Sequence, residues 1–218
     1  PLRIIDVVPT VLQILGLSGR VRVPEVQGKG AYSALLGKAS LSDLLSQAET
    51  LLPFYHFEYS PLLSIRMGRY KYIEAPEPEL YDTQADSGET RNLYAEKKAL
   101  AAQLKELLRQ DIARYSPKKA AADAPRAVDP ATMEKLASLG YLAISRGAAA
   151  SALGRNLPDP KDRIEVYELI YDGTLAARNA RYDRAQTLLT QAVRREPESL
   201  VAHFQLGVVY RATGALDK

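Results

Sequence analysis

Side chains that can carry or move charge at neutral pH are scattered along this chain. It has two histidines, His56 and His203, and no cysteine. The lack of cysteine excludes disulfides, zinc–thiolate centres and a cysteine nucleophile, and fits reducing and oxidising compartments equally. His56 stands among Phe54, Phe57 and Tyr59, which suits a half-buried strand histidine bonded to backbone. Arg66 and Arg69 could meet an anion through their forked donors, although arginines so placed are more often solvated strand or turn residues. Asn92 reads as a helix cap rather than a catalytic group. Twenty-nine basic against 26 acidic residues give a net charge of +3. The basic residues form no stripe, so nucleic acid is not an expected partner.

Positioning these residues falls to a mixed set of elements. From Asp6, the apolar residues Val7, Val8, Val11, Leu12, Ile14 and Leu15 follow helical spacing. A short buried helix is predicted there, with Asp6 as N-cap and Gly16 as stop. Phe54–Tyr59, Leu62–Arg66 and Tyr70–Ile73 are rich in aromatic and branched residues and predict a small antiparallel sheet, with a turn at Met67-Gly68-Arg69. Leu80 and Tyr81 follow two prolines, so an edge strand or a turn is expected. The longest helix is predicted over 95–115, with Leu100, Leu104, Leu107, Leu108 and Ile112 as its apolar stripe. Residues 116–160 read as a linker, interrupted by a short helix over 130–139 between Asp129-Pro130 and Gly140.

Residues 161–218 carry an internal period. Gly173 and Gly207 are 34 residues apart, as are Ala180 and Gly214, and these fall on the small-residue positions of a tetratricopeptide repeat (TPR). Tyr182, Ala185, Ala192 and Pro197 match further signature positions of the first repeat, expected over about 166–199. Small residues at 173 and 185 let two antiparallel helices approach closely, and Pro197 ends the second helix. Leu169, Asp172 and Ala180 depart from the usual Trp, large apolar residue and Gly. A groove that takes a protein or peptide partner would be lined by Tyr167, Ile170, Thr174 and Ala177, then Val201, Phe204, Val208 and Arg211. About half of these could equally pack against a neighbouring repeat. His203 reads as a core residue of the second repeat, which the end of the sequence is expected to truncate.

Several phrases in the first 115 residues come in a telling order: Ile4-Ile5-Asp6-Val7-Val8-Pro9-Thr10-Val11-Leu12, Val26-Gln27-Gly28, Ile65-Arg66-Met67-Gly68-Arg69-Tyr70-Lys71-Tyr72-Ile73, and Glu79-Leu80-Tyr81-Asp82 with Asp86 and Glu89 to Leu93. Together they resemble the C-terminal portion of the sulfatase family, within the alkaline-phosphatase-like superfamily. The phrase from Leu136 to Tyr141 resembles bacterial members that carry a TPR tail. Ser87 replaces a usual proline, and Glu58-Tyr59 a usual Gly-Trp.

The resemblance implies an α+β fold over residues 1–115, a small antiparallel sheet with packed helices, followed by all-α TPR hairpins. For the parent enzyme it implies hydrolysis of sulfate esters by a formylglycine made from Cys or Ser in a C/S-x-P-x-R motif, assisted by calcium. No proline of this chain has Ser or Cys two residues before it, so cofactor and nucleophile are expected in a preceding domain and this piece is expected to be inactive alone. His56 could touch the organic group of the substrate, and Arg66 its anion. Two other readings stay open: a phosphatase or phosphodiesterase relative, and a non-catalytic TPR adaptor carrying a hydrolase remnant. The start at Pro1 and the end within a repeat suggest an internal fragment. No apolar run approaches the roughly 20 residues of a membrane span, and family habit suggests an exported or periplasmic protein.

Overall fold

The computed structural model describes residues 2–20, 27–40, 44–115 and 156–215. The helix predicted over 130–139 and most of the linker around it lie outside the described residues. In chain order the elements are a 3-10 turn Ile4–Asp6, α1 (Val7–Ile14), α2 (Tyr32–Leu35), β1 (Ser46–Thr50), α3 (Leu52–Phe57), β2 (Leu62–Met67), β3 (Tyr70–Glu74), β4 (Glu79–Asp82) and α4 (Lys98–Tyr115). A second 3-10 turn, Pro160–Arg163, leads into α5 (Ile164–Arg178), α6 (Tyr182–Arg195) and α7 (Leu200–Thr213). They form two compact units. One gathers Pro1–Ala48, Leu63–Glu74 and Pro78–Ser116, the other Glu49–Leu62, Ala75–Glu77 and Pro117–Lys218. Residues 49–62 and 75–77 thus group with the C-terminal helices rather than with the rest of 1–115.

The first unit is built on the four-stranded sheet, in the order β1-β2-β3-β4. In its antiparallel register Ile65 faces Tyr72 and Tyr72 faces Leu80. These three side chains, with Leu63, stand on one face because alternate strand residues share a side. Helix α4 covers that face with Ala101, Leu104 and Leu108, the i, i+3, i+7 pattern of an amphipathic helix. The edge position expected for Leu80 and Tyr81 is the one β4 takes.

The N-terminal helix differs from its prediction. Val7, Val8, Val11, Ile14 and Leu15 are exposed, and the buried residues of this stretch are polar, Asp6 and Thr10. Asp6 makes no side-chain cap. Its carboxylate instead accepts from Arg3 Nη2 at 2.6 Å and Nε at 2.9 Å, and from the Lys29 N–H at 2.8 Å. Thr10 donates to the Asp6 carbonyl at 2.5 Å and accepts from the Ala31 N–H at 2.9 Å. This polar node joins the first turn to the 28–31 loop. A Cβ on Gly28 would sit 1.8 Å from the Ile5 carbonyl oxygen, which is the physical reason for glycine in the Val26-Gln27-Gly28 phrase.

Two further corrections concern strands. Phe54–Tyr59 contains helix α3 rather than a strand: Pro53 stands in its first turn and Glu58 ends it in the left-handed region, at φ 59°. The strand that precedes it, β1, is polar and mostly exposed, so it carries none of the apolar alternation that marks a strand in sequence.

In the second unit, α5 and α6 pack closely. A Cβ on Gly173 would lie 2.7 Å from Leu189 Cγ, and Ala185, Leu189 and Ala192 are fully buried. The period of 34 reappears in the backbone. Ala180 and Gly214 both lie in the left-handed region, at φ 55° and 75°. Arg181 N–H donates to Ala176 O and Ala180 N–H to Ala177 O, while Ala215 N–H donates to Tyr210 O and Gly214 N–H to Arg211 O. Both α5 and α7 therefore end in the same Schellman motif.

Candidate functional site

His56 lies in the last turn of α3, partly buried, with its ring 6.3 Å from that of Phe57. It is a helical residue, not the strand histidine that its neighbours suggested. Arg66 belongs to β2, where its Nε donates to Gly68 O at 3.3 Å across the hairpin turn. Arg69 is paired with the buried Asp82 through both carboxylate oxygens, Nε to Oδ1 at 2.8 Å and Nη2 to Oδ2. Side-chain bonding to Arg69, chiefly, holds the Asp82 carboxyl below the usual carboxylate range. The guanidinium of Arg69 is thereby committed to the sheet. His56 falls in the second unit and Arg66 in the first. Among the described residues no group of three or more His, Asp or Glu could hold a metal ion.

The expected groove residues divide sharply. Tyr167, Phe204 and Arg211 are exposed and Val208 is half-buried. Ile170, by contrast, is buried with Val166, Ala192 and Ala202, because side chains three and four apart on α5 fall on its inner stripe. Thr174 turns its hydroxyl back onto Ile170 O at 2.7 Å. His203 is exposed rather than in the core, with Nε2 2.8 Å from Pro197 O.

An aromatic cluster stands at Tyr167. Phe57 packs against the Val166, Ile170, Ala192 and Ala202 cluster, edge-on to Tyr167 at 5.5 Å between ring centres and stacked on Tyr59 at 5.6 Å. Tyr167 stacks in turn on Tyr171 at 6.1 Å. The Tyr59 hydroxyl donates to Glu196 Oε2 at 2.5 Å, and Glu196 is ion-paired with Arg163 at 3.3 Å. Burial, followed by that bond, raises the Tyr59 phenol above its ordinary range. Nearby, Ser60 N–H donates to Pro158 O at 2.9 Å. The buried Asp159 accepts from Lys161 N–H at 3.0 Å and Glu77 N–H at 3.1 Å. In the sequence, the only sign of this arrangement is Pro53 followed by aromatics at 54 and 57, a helical rather than a strand interval.

No family model and no curated protein matches the chain. Solved structures do resemble part of it. A Bacteroides thetaiotaomicron protein described with the metabolism of multiple glycosaminoglycans is 25% identical, with a TM-score of 0.39, over 50% of this chain and 24% of its own. The sulfatase candidate yidJ from Bacteroides fragilis is 22% identical, with a TM-score of 0.41, over the same shares. The phosphonate monoester hydrolase of Agrobacterium radiobacter is 23% identical, with a TM-score of 0.37, again over 50% and 24%. The chain therefore spans about a quarter of the length of these proteins. With TM-scores below 0.5, these likenesses carry no assignment of activity.

Proposed function

We propose that this chain is the C-terminal part of a sulfatase-like hydrolase that ends in a TPR tail, with sulfate ester cleavage carried out by a preceding domain. The supporting observation is the order of phrases from Asp6 to Leu93, followed, after a long helix and a linker, by a period-34 repeat. The phrases fall on the parts that give the first unit its form: the Asp6–Thr10 node, the Gly28 approach, the β2–β3 hairpin and β4. In this reading a formylglycine and a calcium ion belong to the preceding domain, where a fixed nucleophile and a metal offset the negative charge of the sulfate. His56 and Arg66 are its substrate-side residues in this portion, and the tail takes a protein or peptide partner.

The reading is tested on the longer open reading frame. A C/S-x-P-x-R motif with an Asp pair upstream, and aryl sulfate turnover that chelation of calcium abolishes, is the expected result. A Thr or Ser nucleophile with two-zinc ligands, and turnover of phosphate or phosphonate esters instead, would move the chain to the phosphatase and phosphodiesterase relatives. Partner capture with no turnover of either ester would leave the adaptor.

A further inference from the structure

We propose that residues 52–60 serve as a ligand in cis for the helical tail: Phe57 occupies the apolar site beside Tyr167, whose own ring stays exposed, and a peptide partner takes that site by displacing Phe57. This rests on the reading of the tail as a peptide-binding repeat and is independent of what the preceding domain does. It rests on three kinds of contact, those a bound peptide would make. Phe57 supplies an aromatic anchor, set into the Val166, Ile170, Ala192 and Ala202 cluster and edge-on to Tyr167. Tyr59 supplies a directed polar contact, its hydroxyl on the Glu196 carboxylate. Ser60 supplies a backbone bond to Pro158 O.

The shape of the segment suits this role. Left-handed Glu58 turns the chain sharply after α3, which brings Tyr59 back to stack on Phe57 at 5.6 Å. The two rings enter together, one apolar and one carrying a donor, an arrangement that anchors peptides in interfaces. Helix α3 also touches α7, so the segment contacts the first helix of both repeats. About a hundred residues of sequence, among them the strands β2 to β4 and helix α4, separate the segment from its receptor.

Two experiments on the full 218-residue chain test the proposal. The first uses a fluorescent peptide of sequence Leu52–Ser60 as the probe. Phe57→Ala removes the cis anchor, and a loss worth 1.4 kcal/mol to the cis competitor raises the apparent affinity for the added peptide about tenfold. Tyr59→Phe, which keeps the ring and loses the bond to Glu196, should fall between Phe57→Ala and the unaltered chain. Equal binding by all three chains, or binding by none, would overturn the proposal. The second is covalent. The chain has no cysteine, so the flanking pair His56→Cys and Tyr171→Cys, which keeps Phe57, Tyr59 and Tyr167 in place, reacts unambiguously with a bis-maleimide. A cross-linked monomer is expected, whereas no cross-link, or one only between copies, would defeat the assignment.

Discussion

At Ala180 the backbone sits at φ 55°, where an L side chain costs about 1–2 kcal/mol. The equivalent position 34 residues on is Gly214, which pays no such strain. Ala180→Gly should therefore stabilise the second unit, by about 0.5–1 kcal/mol once the added freedom of the unfolded chain is set against the relief. Gly214→Ala should destabilise it, and urea unfolding followed by helix signal separates the two directions. Asp6 makes a different residue-scale case. The hydrogen bonds from Arg3 are the main reason its carboxyl titrates well below the ordinary range. A depressed folded pKa means that the group's stabilisation is complete above the unfolded value, near pH 4, and is lost as pH falls through the folded one. Acid unfolding of the first unit should therefore lose steepness below about pH 4 in Asp6→Asn. At neutral pH the same variant removes the anionic partner of Arg3, whose Nη1 keeps its bond to Leu45 O at 2.7 Å, and costs about 1–3 kcal/mol. Thermal melts across that pH range check both effects.

Among the elements, legibility in the sequence followed the strength of the apolar period. Helix α4 declared itself through Leu104 and Leu108, and the strands β2 and β3 through Ile65 and Tyr72, because each buries one face against the other. Leu104→Ala should cost about 3 kcal/mol, since it empties a fully buried position between sheet and helix. The denaturant midpoint of the first unit measures it, and a shift below 1 kcal/mol would mean that the helix does not anchor the sheet. Elsewhere the sequence misled for identifiable reasons. The aromatics of Phe54–Tyr59 have high strand propensity, yet Pro53 and a left-handed Glu58 bracket a single short helix. Propensity is overruled there by what the rings pack against, namely residues more than a hundred positions away. The repeat pattern places Ile170 in the groove. Its burial depends on α6 and on Ala202 of α7, partners that no pattern within α5 could announce.

Across the whole molecule, two stretches within the first 115 residues, 49–62 and 75–77, join the helical unit. Asp159 shows how so distant a union is held. Its carboxylate, 5% exposed, binds Glu77 N–H on one side and Lys161 N–H on the other. Lys161 Nζ then reaches back to Glu77 O at 2.8 Å and to Asp159 at 3.2 Å. One side chain thus caps the 3-10 turn that opens α5 and pins a loop more than eighty residues earlier. Asp159→Ala would leave two backbone N–H groups without their acceptor, at about 1–3 kcal/mol for a buried donor and about 1 kcal/mol for a cap. Because the two donors belong to distant segments, hydrogen exchange should quicken at Glu77 and Lys161 together, while Ala192 in the core of α6 stays protected. Faster exchange at Lys161 alone would reduce Asp159 to a local cap and leave the 75–77 segment held by other contacts.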